Sequence, residues 1–296
     1  MAPSGLLVVD KPTGMTSHDV VGRVRRILGT RKVGHAGTLD PLATGVLVIG
    51  VERATRLLGH LALRDKRYLA TIRLGCTTVT DDSEGGVLAL ADPDVLDAVT
   101  DEAIRAAAMS LTGAIEQRPS SVSAIKVDGR RAYDRVRSGE AVDLASRAVT
   151  VSRLDVTDIR RGETVDLDVD VECSTGTYVR ALARDMGADL GVGGHLTRLR
   201  RTRVGPFDET VAIGLDQLAA DADPAALLIG MPAAASCFPT WQVGADQARA
   251  VLLGQRIEWA GPAGVGEPVA LVGEDGRFLA LAVGDAGLAR YLAVFA

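Results

Sequence analysis

The chain has 296 residues, 47% of them hydrophobic but only 3% aromatic, and a formal net charge of −5. That length suits one large and one small domain around an aliphatic core, and no apolar run is long enough to span a membrane. Three widely separated cysteines, Cys76, Cys173 and Cys237, exclude a disulfide framework and a metal knuckle and read as reduced, cytosolic thiols. "MAPSGLLVVDKP" lacks a basic n-region and a long apolar stretch, so no secretion signal is expected.

In chain order, "GLLVVDKP" (5–12) predicts a short buried strand ended by Pro12. "TS" then offers a helix cap, and Val20, Val21, Val24, Ile27 and Leu28 share one helical face. "GHAGTLDPLATGVLVIG" (34–50) begins as a glycine-punctuated loop and ends as a strand. Pro41 biases Asp40 towards an extended conformation. "RYLATIRLG" (67–75) alternates, with Tyr68, Ala70, Ile72 and Leu74 on one face. An acidic loop region follows over 76–100, then a helix near 101–112. The basic stretch "RPSSVSAIKVDGRRAYDRVRSGE" (118–140) reads as an excursion from the sheet. "TVDLDVDVEC" (164–173) alternates strictly, with Val165, Leu167, Val169 and Val171 inward and acids outward. A helix follows over 177–191, with Tyr178 and Arg180 on its first turn, a junction where sites are often built. After a connector at 219–240 come short strands, a hairpin turning at 274–276 and a last strand "RYLAVF".

The charge is segregated. Residues 1–75 carry net +7, residues 76–115 net −7, residues 116–137 net +3, and residues 207–296 net −7. "RLRRTR" (198–203) adds four arginines in six positions, placed here on RNA phosphates or on a solvated strand edge. There is no Walker or dinucleotide fingerprint, and His18, His35, His60 and His195 lack ligand spacing. The lone Asp40 therefore has few chemical readings. It caps its own turn, the commonest role for Asp beside Gly and Pro. As an aspartyl-phosphate nucleophile it lacks a second acid two residues on, where Leu42 stands. As a glycosidase acid it lacks an evident carboxylate partner. As a metal ligand it lacks the necessary neighbours.

"DKPTGMTSHDVV", "GHAGTLDPLATGVLVIGVERAT", "DKRYLATIRLG", "PSSVSAIKVDGRRAYDRVRSGE" and "CSTGTYVRALARDMG" occur in the order and spacing of one family. Through them the chain resembles the TruB family of bacterial tRNA pseudouridine synthases, which modify uridine 55 in the T-loop. The resemblance is dense over residues 5–205 and looser beyond. It implies a mixed α/β (α+β) pseudouridine synthase fold with a largely antiparallel central sheet over residues 1–235. Within that domain, 116–148 matches the segment that closes over the RNA. A small β-rich, PUA-like RNA-binding domain is implied over 240–296. Asp40 resembles the catalytic aspartate and Arg180 its ion-pair partner. His35, Tyr68, Tyr178 and Leu199 resemble the residues that receive the flipped uridine or fill its gap. Lys11 and Pro12 resemble the support of the catalytic loop.

The implied reaction is an isomerisation, so it requires no cofactor and no metal. The implied partner is the T-arm of tRNA, met by a basic face of a cytoplasmic monomer with no membrane contact. The other class that fits is an RNA-binding or tRNA-folding module in which Asp40 is structural. The joint presence of Asp40, Arg180, Tyr68 and Tyr178 favours the enzyme.

Overall fold

The computed structural model describes residues 3–120, 126–127, 130–131, 144–262 and 266–295. Much of the expected closing segment 116–148 lies outside the described residues. The chain divides into two compact units. One comprises Met1–Pro41, Gly45–Leu63 and Val204–Ala296, the other Leu42–Thr44 and Arg64–Arg203.

In the first unit the strand Gly5–Lys11 runs antiparallel to Thr44–Val51, from Gly5 opposite Val51 to Lys11 opposite Gly45. Ile213–Gly214 joins Gly5–Lys11 in parallel and Val33–His35 joins Thr44–Val51 antiparallel. The expected helix forms over Ser17–Leu28. It starts at a capping box between Thr16 and Asp19 and ends at Gly29, whose φ of 61° suits a residue without a Cβ. Val20, Val21 and Val24 are buried beneath it. At the C-terminal end the four strands Thr240–Val243, Val269–Gly273, Phe278–Asp285 and Leu288–Val294 form one sheet, the first pair parallel and the others antiparallel. A helix, Ala245–Leu252, stands where the sequence suggested only strands. Phe278, Leu281 and Phe295 of this sheet region share a hydrophobic core with Leu6, Val8, Val46 and Val48.

In the second unit Lys66–Leu74, Val165–Cys173, Arg147–Arg161 and Gly113–Gln117 pair successively, all antiparallel. Gly194–Val204 lies on the other side of Lys66–Leu74. The alternation seen at 164–173 is realised: Val165, Leu167, Val169 and Val171 are at most 2% exposed. The acids on the opposite face are paired rather than bare. Arg67 meets Asp170, Arg73 meets Asp166, Arg160 meets Asp168, and Arg203 meets Glu172. These side-chain hydrogen bonds hold Asp166, Asp168 and Asp170 below the usual carboxylate range.

The acidic region 76–100 is more regular than expected. Cys76–Thr78 and Val87–Leu90 form a hairpin, and Pro93–Asp97 is a short helix. The helix Val179–Asp189 packs closely on the start of Gly194–Val204. A Cβ on Gly187 would come within 2.1 Å of the Gly193 carbonyl carbon, so only glycine permits this approach.

Candidate active site

Asp40 is half-buried in the first unit, between the buried Leu39 and the half-buried Pro41. Its neighbours are gripped through their main chain. The Leu39 N–H donates to Ser17 Oγ at 2.8 Å, and that hydroxyl donates back to the Leu39 carbonyl at 3.2 Å. On the other side the Pro41 carbonyl accepts from the Gly14 N–H at 2.8 Å and from Lys11 Nζ at 3.3 Å. Lys11 is fully buried and also donates to the carbonyls of Pro12 and Met15, at 2.9 and 2.5 Å.

Local sequence explains this clamp. Pro12 ends the first strand, so Lys11 is its last residue. The Thr16–Asp19 capping box fixes the helix start, which makes Ser17 its first residue and holds the hydroxyl against Leu39. Lys11 and Pro12 thus lie beside the Asp40 loop. His35 ends the short strand Val33–His35 opposite Ile49, and its ring stands edge-on to His18 at 6.3 Å between centroids.

The second unit carries Tyr68, Tyr178, Arg180 and Leu199. Tyr68 is 7% exposed, on the face of Lys66–Leu74 that also buries Ala70, Ile72 and Leu74. Tyr178 is half-buried and immediately precedes the helix Val179–Asp189 rather than lying on its first turn. Leu199 is buried within Gly194–Val204. Arg180 is 4% exposed, and its Nη1 donates to the Thr80 carbonyl at 2.7 Å. Its Nε lies 3.6 Å from Asp82 Oδ2. Asp82 is itself 2% exposed and accepts from the Glu84 N–H at 3.0 Å and from the Thr80 hydroxyl. A buried guanidinium beside a buried carboxylate is held in place, because losing either charge takes a counter-charge from the other.

Sequence reasoning missed four supporting residues: Ser17, Asp82, Gln117 and Arg147. Gln117 bonds both main-chain groups of Tyr178, and the Arg147 guanidinium lies over the Tyr178 ring. Only Ser17 had a local signal, the "TSHD" cap. The other three act on residues far away in sequence.

The "RLRRTR" run needs correction. Arg198 is exposed, but Arg201 is only 1% exposed, and Arg203 is bonded to Glu172 at 2.5 Å. Strand alternation turns Arg201 inward, so it is not a surface phosphate contact. Nearby Lys66 is 6% exposed. Burial, with the positive charge of Arg201 adding to it, pulls its ammonium down to about 8. Opposite it in the sheet, burial pushes the Cys173 thiol up to about 11.

A family model described as TruB family pseudouridylate synthase, N-terminal domain, matches residues 25–179. A second, described as tRNA pseudouridylate synthase B C-terminal domain, matches residues 180–227. The chain belongs to the TruB family of pseudouridylate synthases. Among its relatives, the tRNA pseudouridine synthase B of Cutibacterium acnes is 61% identical over 279 residues, covering 94% of this chain and 92% of that protein. The protein of the same name from Thermobifida fusca is 54% identical, covering 99% and 98%. Among solved structures, a chain of an archaeal box H/ACA Nop10–Cbf5 complex aligns with a TM-score of 0.75 at 26% identity, covering all of this chain and 87% of that one. A chain of a Cbf5–Nop10–Gar1 complex aligns with a TM-score of 0.73 at 28% identity, covering 95% and 78%. The TruB assignment fits the mixed α/β architecture and the antiparallel strand pairs of the second unit.

Proposed function

We propose that this TruB chain converts uridine 55 in the T-loop of tRNA to pseudouridine, with Asp40 as its catalytic carboxylate. The activity is an isomerisation carried out on tRNA, as the names of its close relatives state. The observation that carries the role of Asp40 is the clamp around it. Ser17, Gly14 and Lys11 fix the peptide groups on both sides, so the Asp40 carboxylate projects from a held backbone. Catalysis gains most from groups held in place before the substrate arrives.

In the reaction the C1′–N1 bond breaks, the uracil turns, and a C1′–C5 bond forms. The hydrogen on C5 leaves and N1 gains one, so atoms balance without an oxidant or reductant. An ionised carboxylate can serve as nucleophile or as base, and a guanidinium favours the ionised form; that is the role proposed for Arg180. The uridine must leave its stack to react. His35, Tyr68, Tyr178 and Leu199 are proposed to receive it or fill its gap, and Lys11 and Pro12 to support the loop. The T-arm as docking site, residues 240–296 as a PUA-like RNA-binding module, and a cytoplasmic monomer belong to the same proposal. Among the described residues no helix is long and apolar enough to cross a membrane.

Release of tritium from C5-labelled uridine in tRNA tests the proposal. Asp40→Asn should fold, bind tRNA within a few-fold of the parent and release no label above background. A turn-capping aspartate would tolerate that change at about 1 kcal/mol or less. Normal release from the folded variant would assign Asp40 to structure and the chain to RNA binding or folding.

A further inference from the structure

Tyr178 is held at three points by two residues that no motif marks. Gln117, the last residue of Gly113–Gln117, is fully buried. Its Oε1 accepts the Tyr178 N–H at 2.8 Å, and its Nε2 donates to the Tyr178 carbonyl at 3.0 Å. One amide therefore satisfies both main-chain groups of the residue before a helix that has no side-chain cap of its own. Arg147 lies directly opposite Gln117 in the sheet. Its Nη2 donates to the Gly176 carbonyl, and its guanidinium carbon stands 4.7 Å from the centroid of the Tyr178 ring. Among the described residues its Nε is buried with no hydrogen-bond partner. Tyr178 as a residue stays half-buried.

We propose that Gln117 and Arg147 are positioning residues that hold Tyr178, main chain and ring, in the orientation that receives the extruded uracil. This rests on the reading of Tyr178 as part of the uridine site. A base stacks on an aromatic ring only where the ring plane is already set, and a flat guanidinium over one face sets it. Gln117 fixes where the ring is attached, and Arg147 fixes how it is turned. The neighbouring strands Gly113–Gln117 and Arg147–Arg161 thereby tie the sheet edge to the reacting base.

The test uses the full chain, C5-tritiated tRNA under single-turnover conditions, and separate measurement of tRNA affinity. Arg147→Ala should slow label release about tenfold or more while affinity changes less than about threefold, as expected for a group that orients without binding RNA. Arg147→Lys should not restore the rate, since an ammonium lacks the flat face. In a Tyr178→Leu background, adding Arg147→Ala should cost nothing more, because Arg147 acts through the ring. Gln117 is fully buried and its variants can unfold, so the half-buried Arg147 carries the test. An unchanged rate in Arg147→Ala would overturn the proposal. So would weakened affinity with a normal single-turnover rate, which marks a phosphate contact, or an equal loss in the Tyr178→Leu background. A wild-type rate in Tyr178→Leu alone would instead overturn the reading of Tyr178 on which the proposal rests.

Discussion

Around Asp40 the restraints fall on the main chain of its neighbours: Ser17 on Leu39, Lys11 and Gly14 on Pro41. Around Arg180 they fall on the functional side chain itself, through the Thr80 carbonyl and the Asp82 carboxylate. The first arrangement fixes the peptide groups that flank a carboxylate. The second fixes a charge by burying its counter-charge beside it. The two should therefore fail differently. Weakening the Asp40 clamp should blur geometry at modest cost in stability, whereas removing Asp82 takes a counter-charge from a buried cation and should cost stability first.

The largest effect is expected from Asp82→Ala. Removing one member of a buried ion pair costs about 3–5 kcal/mol, read as a fall in the urea midpoint. A stable Asp82→Ala protein would erase the contrast between the regions.

A buried cation whose charge is disfavoured by its burial sharpens the point from the other side. Lys66 is held at about 8 in the folded chain against 10.5 ordinarily. Between these values the unfolded chain binds more protons, so this group makes stability rise with pH across the window and leaves it flat below. Lys66→Met should remove that rise. Comparing variant with parent cancels the opposite slope of Cys173, whose thiol is held up from 9.0 to about 11. Identical urea-unfolding profiles for parent and variant from pH 7 to 10 would contradict the assignment.

Ser17→Ala probes the clamp. Leu39 would lose a donor and an acceptor, at about 1–2 kcal/mol, and label release should fall about tenfold with tRNA affinity unchanged, because the carboxylate would lose its fixed position. A rate loss no greater than the loss of folded protein would break the comparison on this side.

The smallest effect is expected on the outer face of the sheet. Arg73 and Asp166 remain 38% and 21% exposed, so Arg73→Ala should cost about 0.2–1 kcal/mol and less at high salt. Because Arg73 depresses the Asp166 carboxyl, part of the parent's stability is lost as pH falls through the acidic range, and the variant should lose less there.

The elements with a local pattern were legible in the chain. Strict alternation at 164–173, the apolar face of 18–28 and the Thr16–Asp19 cap each depend on residues a few positions apart, where periodicity reports burial directly. Asp40 was legible as a framed carboxylate because Pro41 restricts its backbone. The helix Ala245–Leu252 was not, since its eight residues give only about two turns in which to read a pattern. The inward turn of Arg201 was hidden too, because composition marks an arginine as exposed and only strand register sets its face.

The supports lay beyond reach for the same reason. Gln117 meets Tyr178 across 61 positions, Arg180 meets Thr80 across 100, and Ser17 meets Leu39 across 22. Sequence by itself determined which residues have chemistry and which local elements carry them, since propensity, periodicity and turn restriction act over a few bonds. Tertiary structure decided which side chains hold the chemical residues still, because hydrogen bonds and ion pairs depend on distances that strand register and helix packing set.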